Sequence, residues 1–265
     1  MNICKNCQNK FSGNYCNNCG EKIISDEDFS ITNILSQAVG AITNFDSKLI
    51  RTFQIMVNNP GILSSKIVSG IRVPFLKPFQ IFVICNVLFF IFLSDTDLFR
   101  TPAKWFFNEN FQYFGTTVID KVSLIMRNEN LSFTEVQSKY DSISSNLSKS
   151  LLIILIPFIA SIGIMIKRNL QFGKHLILAT IYFSQLLLCT TILYLITTNL
   201  PVPNKWFFTV PAVLVAIVYY VLSIKKFYNK SLLFSIAFGI FGIFLIGIFI
   251  NFYRSLINII SLSLL

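Results

Sequence analysis

The chain has 265 residues, of which 54% are apolar and only 13% are charged, and its mean hydropathy is +0.65. This composition excludes an ordinary soluble domain and predicts an integral membrane protein. The net charge of +10 does not indicate nucleic-acid binding, because the 22 basic residues separate apolar runs instead of forming one basic arm or face.

Four of the six cysteines lie near the N-terminus as two CxxC pairs. Cys4 and Cys7 are followed by eight residues and then by Cys16 and Cys19. A tetrahedral zinc ion takes four thiolates at about 2.3 Å, and each CxxC turn presents two of them. The spacing therefore predicts a small zinc ribbon in residues 1–24, with these four cysteines as the metal ligands.

The protein would supply all four ligands, so the predicted zinc ion is structural and leaves no position for water or substrate. It would hold together a segment too small to fold by burial alone. Disulfides are disfavoured in the cytoplasm, a redox pair is expected in a βαβ context that is missing, and covalent haem would need a His after the second Cys. Two roles stay open for the ribbon, stabilising the N-terminus or docking a protein partner.

Residues 25–78 are predicted to form cytoplasmic helices ahead of the membrane. Apolar side chains recur at helical spacing over residues 30–59, with polar residues between them, which predicts two amphipathic helices. A third helix is predicted to begin near Pro60 and to end at Gly70. The prolines of residues 71–78 exclude a regular helix interior, so this segment is interpreted as the entry into the membrane.

Residues 79–265 contain five apolar runs. Each is close to the length needed to cross about 30 Å of hydrocarbon at about 1.5 Å per residue, although the first is short and requires local thinning of the bilayer. The sequence therefore predicts an all-α polytopic membrane protein with about five transmembrane helices and a small N-terminal zinc ribbon. The runs are approximately residues 79–94, 150–166, 176–199, 206–224 and 231–253.

The basic residues predict the orientation. The loops after the second and fourth runs each carry three basic residues, whereas the loop after the third carries only Lys205. By the positive-inside rule the loops after the second and fourth runs are cytoplasmic. With five crossings the N-terminus is then cytoplasmic and the C-terminus external, which is the arrangement we expect in the cytoplasmic (inner) membrane of a bacterium.

The segment 95–149 is the sizeable external part in this topology. Its aromatic opening, residues 105–114, is expected at the membrane interface, and residues 134–148 are expected to be helical. We expect the segment to cover the helical bundle, with a ligand site as the alternative.

The end of the chain stays apolar beyond the fifth run. A single helix over residues 231–265 would span about 52 Å, which is too long for a bilayer. The tail after Tyr253 is therefore predicted to lie along the outer interface, with Arg254 snorkelling towards water.

Reactive and polar side chains within the runs are expected to serve packing. Cys85 and Cys189 are expected to pack as small hydrophobic residues. His175 is expected at the cytoplasmic interface, and would carry protons only with a partner that the sequence does not reveal. Polar residues at membrane depth more often bridge helices than bind cargo, and four such residues are Asn86, Ser184, Gln185 and Asn251.

Several stretches resemble an uncharacterised bacterial zinc-ribbon membrane family, domain of unknown function 3667. The resemblance is dense over residues 1–80 and thinner, though collinear, over residues 150–230. It implies a zinc ribbon joined to a polytopic domain in the cytoplasmic membrane, with no established activity. The matching residues are Cys4, Cys7, Cys16, Cys19, Gly20, Asp46, Thr52, Asn59 to Gly61, Gly70 to Phe75, Pro78, Pro157, Phe172 to Leu176 and Lys225 to Tyr228.

The sequence thus predicts a membrane scaffold, adaptor or sensor whose zinc ribbon contacts a protein partner at the cytoplasmic face. The lipid bilayer is its other partner, and basic residues beside the membrane are candidates for holding anionic lipid headgroups. These basic residues are Arg51, Lys66, Arg72 and Lys77.

The alternative is a small transporter or a lipid-handling protein whose path is lined by Asn86, Ser184 and Gln185. An enzyme is the weakest prediction, because residues 142–265 contain no Asp or Glu to act as general acid or base. No catalytic and no cofactor-binding residues are predicted besides the zinc ligands.

Overall fold

The structure is a computed structural model of the chain. It describes residues 2–4, 7–19, 47–93, 97–107, 112–113, 116–198 and 206–265. The chain divides into two compact units, Met1–Ile50 and Arg51–Leu265. Most of the predicted amphipathic stretch 30–59 lies outside the described residues.

The first unit contains two short strands, and the second unit is mainly helical. The strands β1 (Asn2–Ile3) and β2 (Lys10–Phe11) are antiparallel, with Asn2 opposite Phe11. The predicted predominance of helix is confirmed. The further elements are α1 (47–58), α2 (Ile62–Val68), α3 (Pro78–Phe92), α4 (Ala103–Phe106), β3 (Gln112–Tyr113) paired with β4 (Thr116–Thr117), α5 (Val118–Glu129), α6 (Phe133–Ser150), a 3-10 turn (Leu152–Ile154), α7 (Leu155–Ile166), α8 (Phe172–Thr198), α9 (Trp206–Tyr228) and α10 (Leu232–Ser263).

Three of these helices, α8, α9 and α10, are long and apolar enough to cross a membrane. The pair formed by α6 and α7 is bent by 46° at the turn between them and makes a fourth candidate if it is one span. Helix α3 is apolar but has only 15 residues. The described chain is therefore a membrane-type helical protein with three or four candidate spans, and the number five stays a prediction.

Helix α8 is the centre of the second unit, because α3, α7 and α9 all pack against it. Its apolar window is 56% buried inside the protein, against 22% for the windows of α9 and α10. On one side Phe183 stacks on Phe82 of α3, with ring centroids 6.1 Å apart. On the other side Tyr182 donates a hydrogen bond to the carbonyl of Ala216 in α9 at 3.0 Å.

Helices α1 and α2 form a hairpin whose turn lies against α9. Gly61 in the turn has φ 82°, and a Cβ there would lie 2.8 Å from the Cα of Ser223. Glycine is therefore required both for the backbone conformation and for the close approach. The residues 71–77 that follow are irregular, and Pro78 is the first residue of α3, as its missing N–H favours.

Hydrogen bonds fix this hairpin to the bundle. The Gln185 side-chain amide donates to the carbonyl of Met56, and the Tyr219 hydroxyl donates to the carbonyl of Val57 at 3.0 Å. The backbone N–H of Leu76 donates to the hydroxyl of Thr52 at 3.0 Å, which closes the loop back onto α1. Residues 51–76 thus pack as part of the bundle, and the prediction that they lie in the cytoplasm stays untested.

The segment predicted to be external forms a small packed cap from α4, α5 and α6. The helix predicted over residues 134–148 is observed as α6. Phe106 and Phe107 are buried against Tyr140, with ring centroids 5.3 and 5.1 Å from its ring. These two aromatic side chains therefore belong to the core of the cap, whereas Trp105 is 65% exposed. Phe111 and Phe114 of the predicted aromatic stretch lie outside the described residues.

The prediction for the C-terminal tail was wrong. Helix α10 continues without a break to Ser263, so its 32 residues extend about 48 Å. The Tyr253 hydroxyl donates to the carbonyl of Ser148 at 2.6 Å, and Leu262 lies in the core of the cap. The tail remains helical because α6 and the cap bury its apolar side chains.

A charged network joins the cap to the end of α10. Arg100 pairs with Asp141 at 2.6 Å and with Asp97 at 2.7 Å. Asp141 also accepts the backbone N–H of Ala103 at 2.9 Å. Arg254 does not snorkel freely, because its guanidinium donates to the carbonyl of Arg100 at 2.9 Å.

We expect Asp141→Asn to loosen the cap, because the largely buried guanidinium of Arg100 loses its shortest ion pair. The predicted cost is about 1–2 kcal/mol, measured as a lower melting temperature and faster proteolysis between α4 and α6. The control is Glu129→Gln, which breaks the exposed pair with Lys139 and should have little effect. Equal effects of the two substitutions would contradict this role for Arg100.

Candidate metal centre and apolar groove

The structure brings the four N-terminal cysteines together. The sulfur atoms of Cys4, Cys7, Cys16 and Cys19 all lie within 4.8 Å of one another. The Sγ atoms of Cys4 and Cys19 are 3.5 Å apart, and those of Cys7 and Cys16 are 3.6 Å apart. Such a cluster could hold a metal ion, and it contains all four residues that the sequence predicts as ligands.

Local backbone geometry positions the first cysteine pair. The N–H of Cys4 donates to the carbonyl of Asn9 at 3.0 Å, and the N–H of Gln8 donates back to the carbonyl of Cys4 at 2.9 Å. Gln8 adopts φ 58°, which allows the chain to reverse directly after Cys7. The β1–β2 pair then places Phe11 beside Cys4 and Cys16, and these three buried side chains form the core of the segment.

Hydrogen bonding favours the thiolate at one of the ligands. The backbone N–H of Asn9, helped by the side chain of Asn18, lowers the pKa of Cys7 to about 6, while burial acts in the opposite direction. A donor that points at the sulfur stabilises the charged form. The thiolate is also the form of cysteine that binds metals, so Cys7 is preset for that role at neutral pH.

The other two cysteines lie on α3 and α8. Cys85 is completely buried, and Cys189 is partly buried. Both are far along the chain from the N-terminal cluster, and the metal-type cluster found in the described residues does not include them. Their positions agree with the predicted role as packing thiols.

The polar residues at membrane depth make two kinds of contact. Gln185 bridges to Met56, and the amide of Asn86 donates to the carbonyl of Lys149 at 3.3 Å, so these two side chains join different elements. Two others bond to their own helices, Ser184 to Thr180 at 2.7 Å and Asn251 to Gly247 at 2.9 Å. Bridging is therefore observed for two of the four residues.

His175 has a partner that the sequence did not reveal. Its ring is buried, and Nδ1 lies 2.7 Å from the hydroxyl of Tyr228 at the end of α9. A Cβ at Gly163 of α7 would lie 2.6 Å from the same ring nitrogen and would also collide with the tyrosine hydroxyl. Three helices, α7, α8 and α9, meet at this point. The only indication of it in the sequence is that Tyr228 lies at the end of a span, shortly after Lys225 and Lys226.

An apolar groove of about 460 Å³ lies between α3, α7 and α8. Of the described residues that line it, Lys77 is the one charged side chain. The transport residues suggested by the sequence, Asn86, Ser184 and Gln185, are not in its lining. The lining consists of Lys77, Pro78, Phe79, Ile153, Ile156, Pro157, Leu176, Ile177 and Thr180.

Comparisons with protein-family models, with curated proteins and with solved structures find no match to this chain. The resemblance to the zinc-ribbon membrane family therefore stays a prediction that rests on the residues alone.

We expect the purified protein to contain one metal ion per chain and the Cys16→Ser, Cys19→Ser variant to contain none, because two ligands cannot close a four-sulfur site. Elemental analysis measures this directly. Cys189→Ser is the matched control and should keep the metal. Metal retained in the double variant, or lost equally in the control, would contradict the assignment of the site.

We expect Gly163→Ala to destabilise the bundle by about 1–3 kcal/mol, because the added methyl group forces His175 and Tyr228 apart. Gly247→Ala is the control, since a Cβ at that helical glycine has no neighbour within 4 Å. Thermal unfolding in detergent compares the two. A Gly163→Ala variant as stable as the control would show that the contact does not constrain the fold.

Proposed function

We propose that this chain is a membrane scaffold or adaptor that displays a zinc-bound ribbon at the cytoplasmic face of a bacterial inner membrane, where the ribbon binds a protein partner. The observation that supports it best is the cluster of four cysteine sulfur atoms within 4.8 Å. It is the one chemically specialised group of side chains in the described part of the N-terminal unit.

The sulfur geometry supports zinc as the metal. In a tetrahedral site with zinc–sulfur bonds of about 2.3 Å, neighbouring sulfur atoms are about 3.8 Å apart. The closest pairs here, at 3.5 and 3.6 Å, need little adjustment to reach that spacing. Zinc suits four thiolates and has no redox chemistry, and with all four positions filled by cysteine it would stabilise the segment and activate no substrate.

Exposed apolar side chains support docking of a partner. Ile3 is 64% exposed and Tyr15 is 61% exposed, on a segment whose own core contains Phe11 and the cysteines. Aromatic and aliphatic side chains of this kind are the usual anchors of protein interfaces.

The positions of charged residues support embedding in a bilayer. Arg254 lies 22 residues after Leu232 on the same helix, which corresponds to about 33 Å and matches a hydrocarbon core of about 30 Å. Lys225, Lys226 and Lys230 lie at the opposite end of that span. The positive-inside rule then assigns this end, and with it the N-terminus, to the cytoplasm if α3 and the α6–α7 pair each cross once.

Lipid handling is the second candidate function, and the apolar groove is the observation that favours it. Transport along a polar path has less support. Gln185 and Ser184 are buried and engaged with the Met56 and Thr180 carbonyls, so their hydrogen-bonding groups already serve packing.

Crosslinking in cells followed by co-purification tests the adaptor function. We expect the intact protein to capture a partner that is lost from Cys16→Ser, Cys19→Ser, which unfolds the ribbon, and from Ile3→Asn, Tyr15→Asn, which keeps the metal ligands. Lys10→Gln changes an exposed charge on the same segment and should retain the partner. All variants should remain in the membrane fraction.

Two results would contradict this proposal, the first its docking role for the ribbon and the second its choice of docking surface. If the intact protein and the ribbon variants capture the same neighbours, the ribbon has no docking role. If Ile3→Asn, Tyr15→Asn retains the partner while the cysteine variant loses it, the exposed apolar pair is not the docking surface.

A further inference from the structure

We propose that the groove between α3, α7 and α8 is a binding site for an anionic phospholipid, with one acyl chain in the groove and the phosphate at Lys77. The groove belongs to the helical unit and involves no residue of the ribbon. This site is therefore independent of the adaptor function.

The walls of the groove fit an acyl chain. The side chains that line it between Lys77 and the far end are aliphatic, aromatic or proline, apart from Thr180. The hydroxyl of Thr180 donates to the carbonyl of Leu176 in its own helix, so it presents little unsatisfied polarity. A volume of about 460 Å³ lies within the range of small-molecule sites, roughly 300–1,000 Å³.

The groove extends along the helices, which is the direction that an acyl chain takes in a bilayer. On α8 its wall is formed by Leu176, Ile177 and Thr180, all within the first nine residues of the helix. On the α7 side the groove reaches Ile153 in the 3-10 turn that precedes α7. Ile153 lies 13 residues before the last residue of α7, Ile166, which corresponds to about 20 Å along the chain. It therefore extends from the basic end of the bundle towards the middle of the proposed bilayer.

Charge complementarity identifies the headgroup. Lys77 is exposed and pairs with no carboxylate among the described residues. Lys167 and Arg168 lie on the α7–α8 connection and Lys174 lies in the first turn of α8, at the same end. Residues 142–265 contain no acidic side chain to oppose them. A zwitterionic headgroup carries its own cation and would leave this positive charge uncompensated. An anionic headgroup, whose only charge is the phosphodiester, neutralises it.

Two of the other basic residues near the membrane entry are already engaged within the protein, and the third, Arg51, does not line the groove. The Nζ of Lys66 lies 5.7 Å from the centre of the Phe75 ring, and the Nε of Arg72 donates to the carbonyl of Ile67 at 3.1 Å. Of the four basic residues that the sequence suggested for lipid headgroups, Lys77 is the one that lines the groove.

Native mass spectrometry of the purified full-length protein tests the site. The probes are phosphatidylglycerol and phosphatidylcholine with identical acyl chains, added in equal amounts to the detergent solution. We expect retention of phosphatidylglycerol over phosphatidylcholine, and a loss of about fivefold in phosphatidylglycerol retention for Lys77→Gln. Lys77→Arg should keep the preference, which separates loss of charge from misfolding.

A second pair of variants tests whether an acyl chain occupies the groove. Ile153→Trp fills the groove without changing charge and should reduce retention of both lipids. Ile192→Trp places the same ring at an exposed isoleucine of α8 outside the groove and should have no effect. Lys226→Gln removes an exposed lysine from the same face of the protein and should also leave retention unchanged.

Each of the following outcomes would overturn the proposal. The intact protein retains both lipids equally, or Lys226→Gln loses as much phosphatidylglycerol as Lys77→Gln, which would indicate diffuse attraction. Unchanged retention in Ile153→Trp would show that no chain occupies the groove, and displacement of the lipid by inorganic phosphate at constant ionic strength would show that only the phosphate is recognised. The Cys16→Ser, Cys19→Ser variant should bind lipid normally, so failure of the adaptor function and failure of this site give different results.

Discussion

The burial of α8 determines the arrangement of the helical unit. Polar groups inside a bilayer are costly unless they find a partner within the protein, and several polar side chains of α8 find one in two ways. Its hydroxyl side chains, such as Thr180 and Ser184, bond back to carbonyls one turn earlier, while Gln185 and Tyr182 reach carbonyls of neighbouring elements. The neighbours are consequently held at fixed positions around α8, and the α1–α2 hairpin, α3, α7 and α9 derive their places from it.

The two candidate sites, the cysteine cluster and the apolar groove, both lie apart from the polar contacts that hold α8 to its neighbours. In the helical unit Asn86 and Gln185 use their side-chain amides to join different elements, and the acidic residues of the sequence are confined to residues before 142. The groove lies at the start of α3, where Lys77, Pro78 and Phe79 face residues of α7 and α8 across it. The N-terminal segment has its own small core of Cys4, Phe11 and Cys16, so cysteines supply two of its three buried side chains.

The sequence was informative where structure depends on near neighbours. The spacing of the cysteines predicted a cluster because each CxxC pair is local. Pro60 and Gly70 predicted the start and end of α2 to within two residues, because turn residues act on their immediate neighbours. Contacts between distant residues were not predictable. Nothing near Tyr253 indicates that Ser148 and the cap will keep α10 helical to Ser263, and the periodicity of α1 indicates a buried face without indicating that Gln185 of α8 covers it. The pairing of His175 with Tyr228 was missed for the same reason, since 53 residues separate them.

Membrane topology is the most direct test of the account, because zinc binding in a reducing compartment and docking of a cytoplasmic partner both require one orientation. Ser138 on the cap and Lys226 at the end of α9 are exposed and can each be replaced by cysteine. A membrane-impermeant thiol reagent is applied to whole cells with a permeabilised outer envelope but an intact inner membrane, and labelling is read by mass spectrometry at the substituted position. The account predicts labelling of Ser138→Cys in these cells and of Lys226→Cys only after the inner membrane is disrupted. Labelling of both positions from one side, or the reverse pattern, would contradict it.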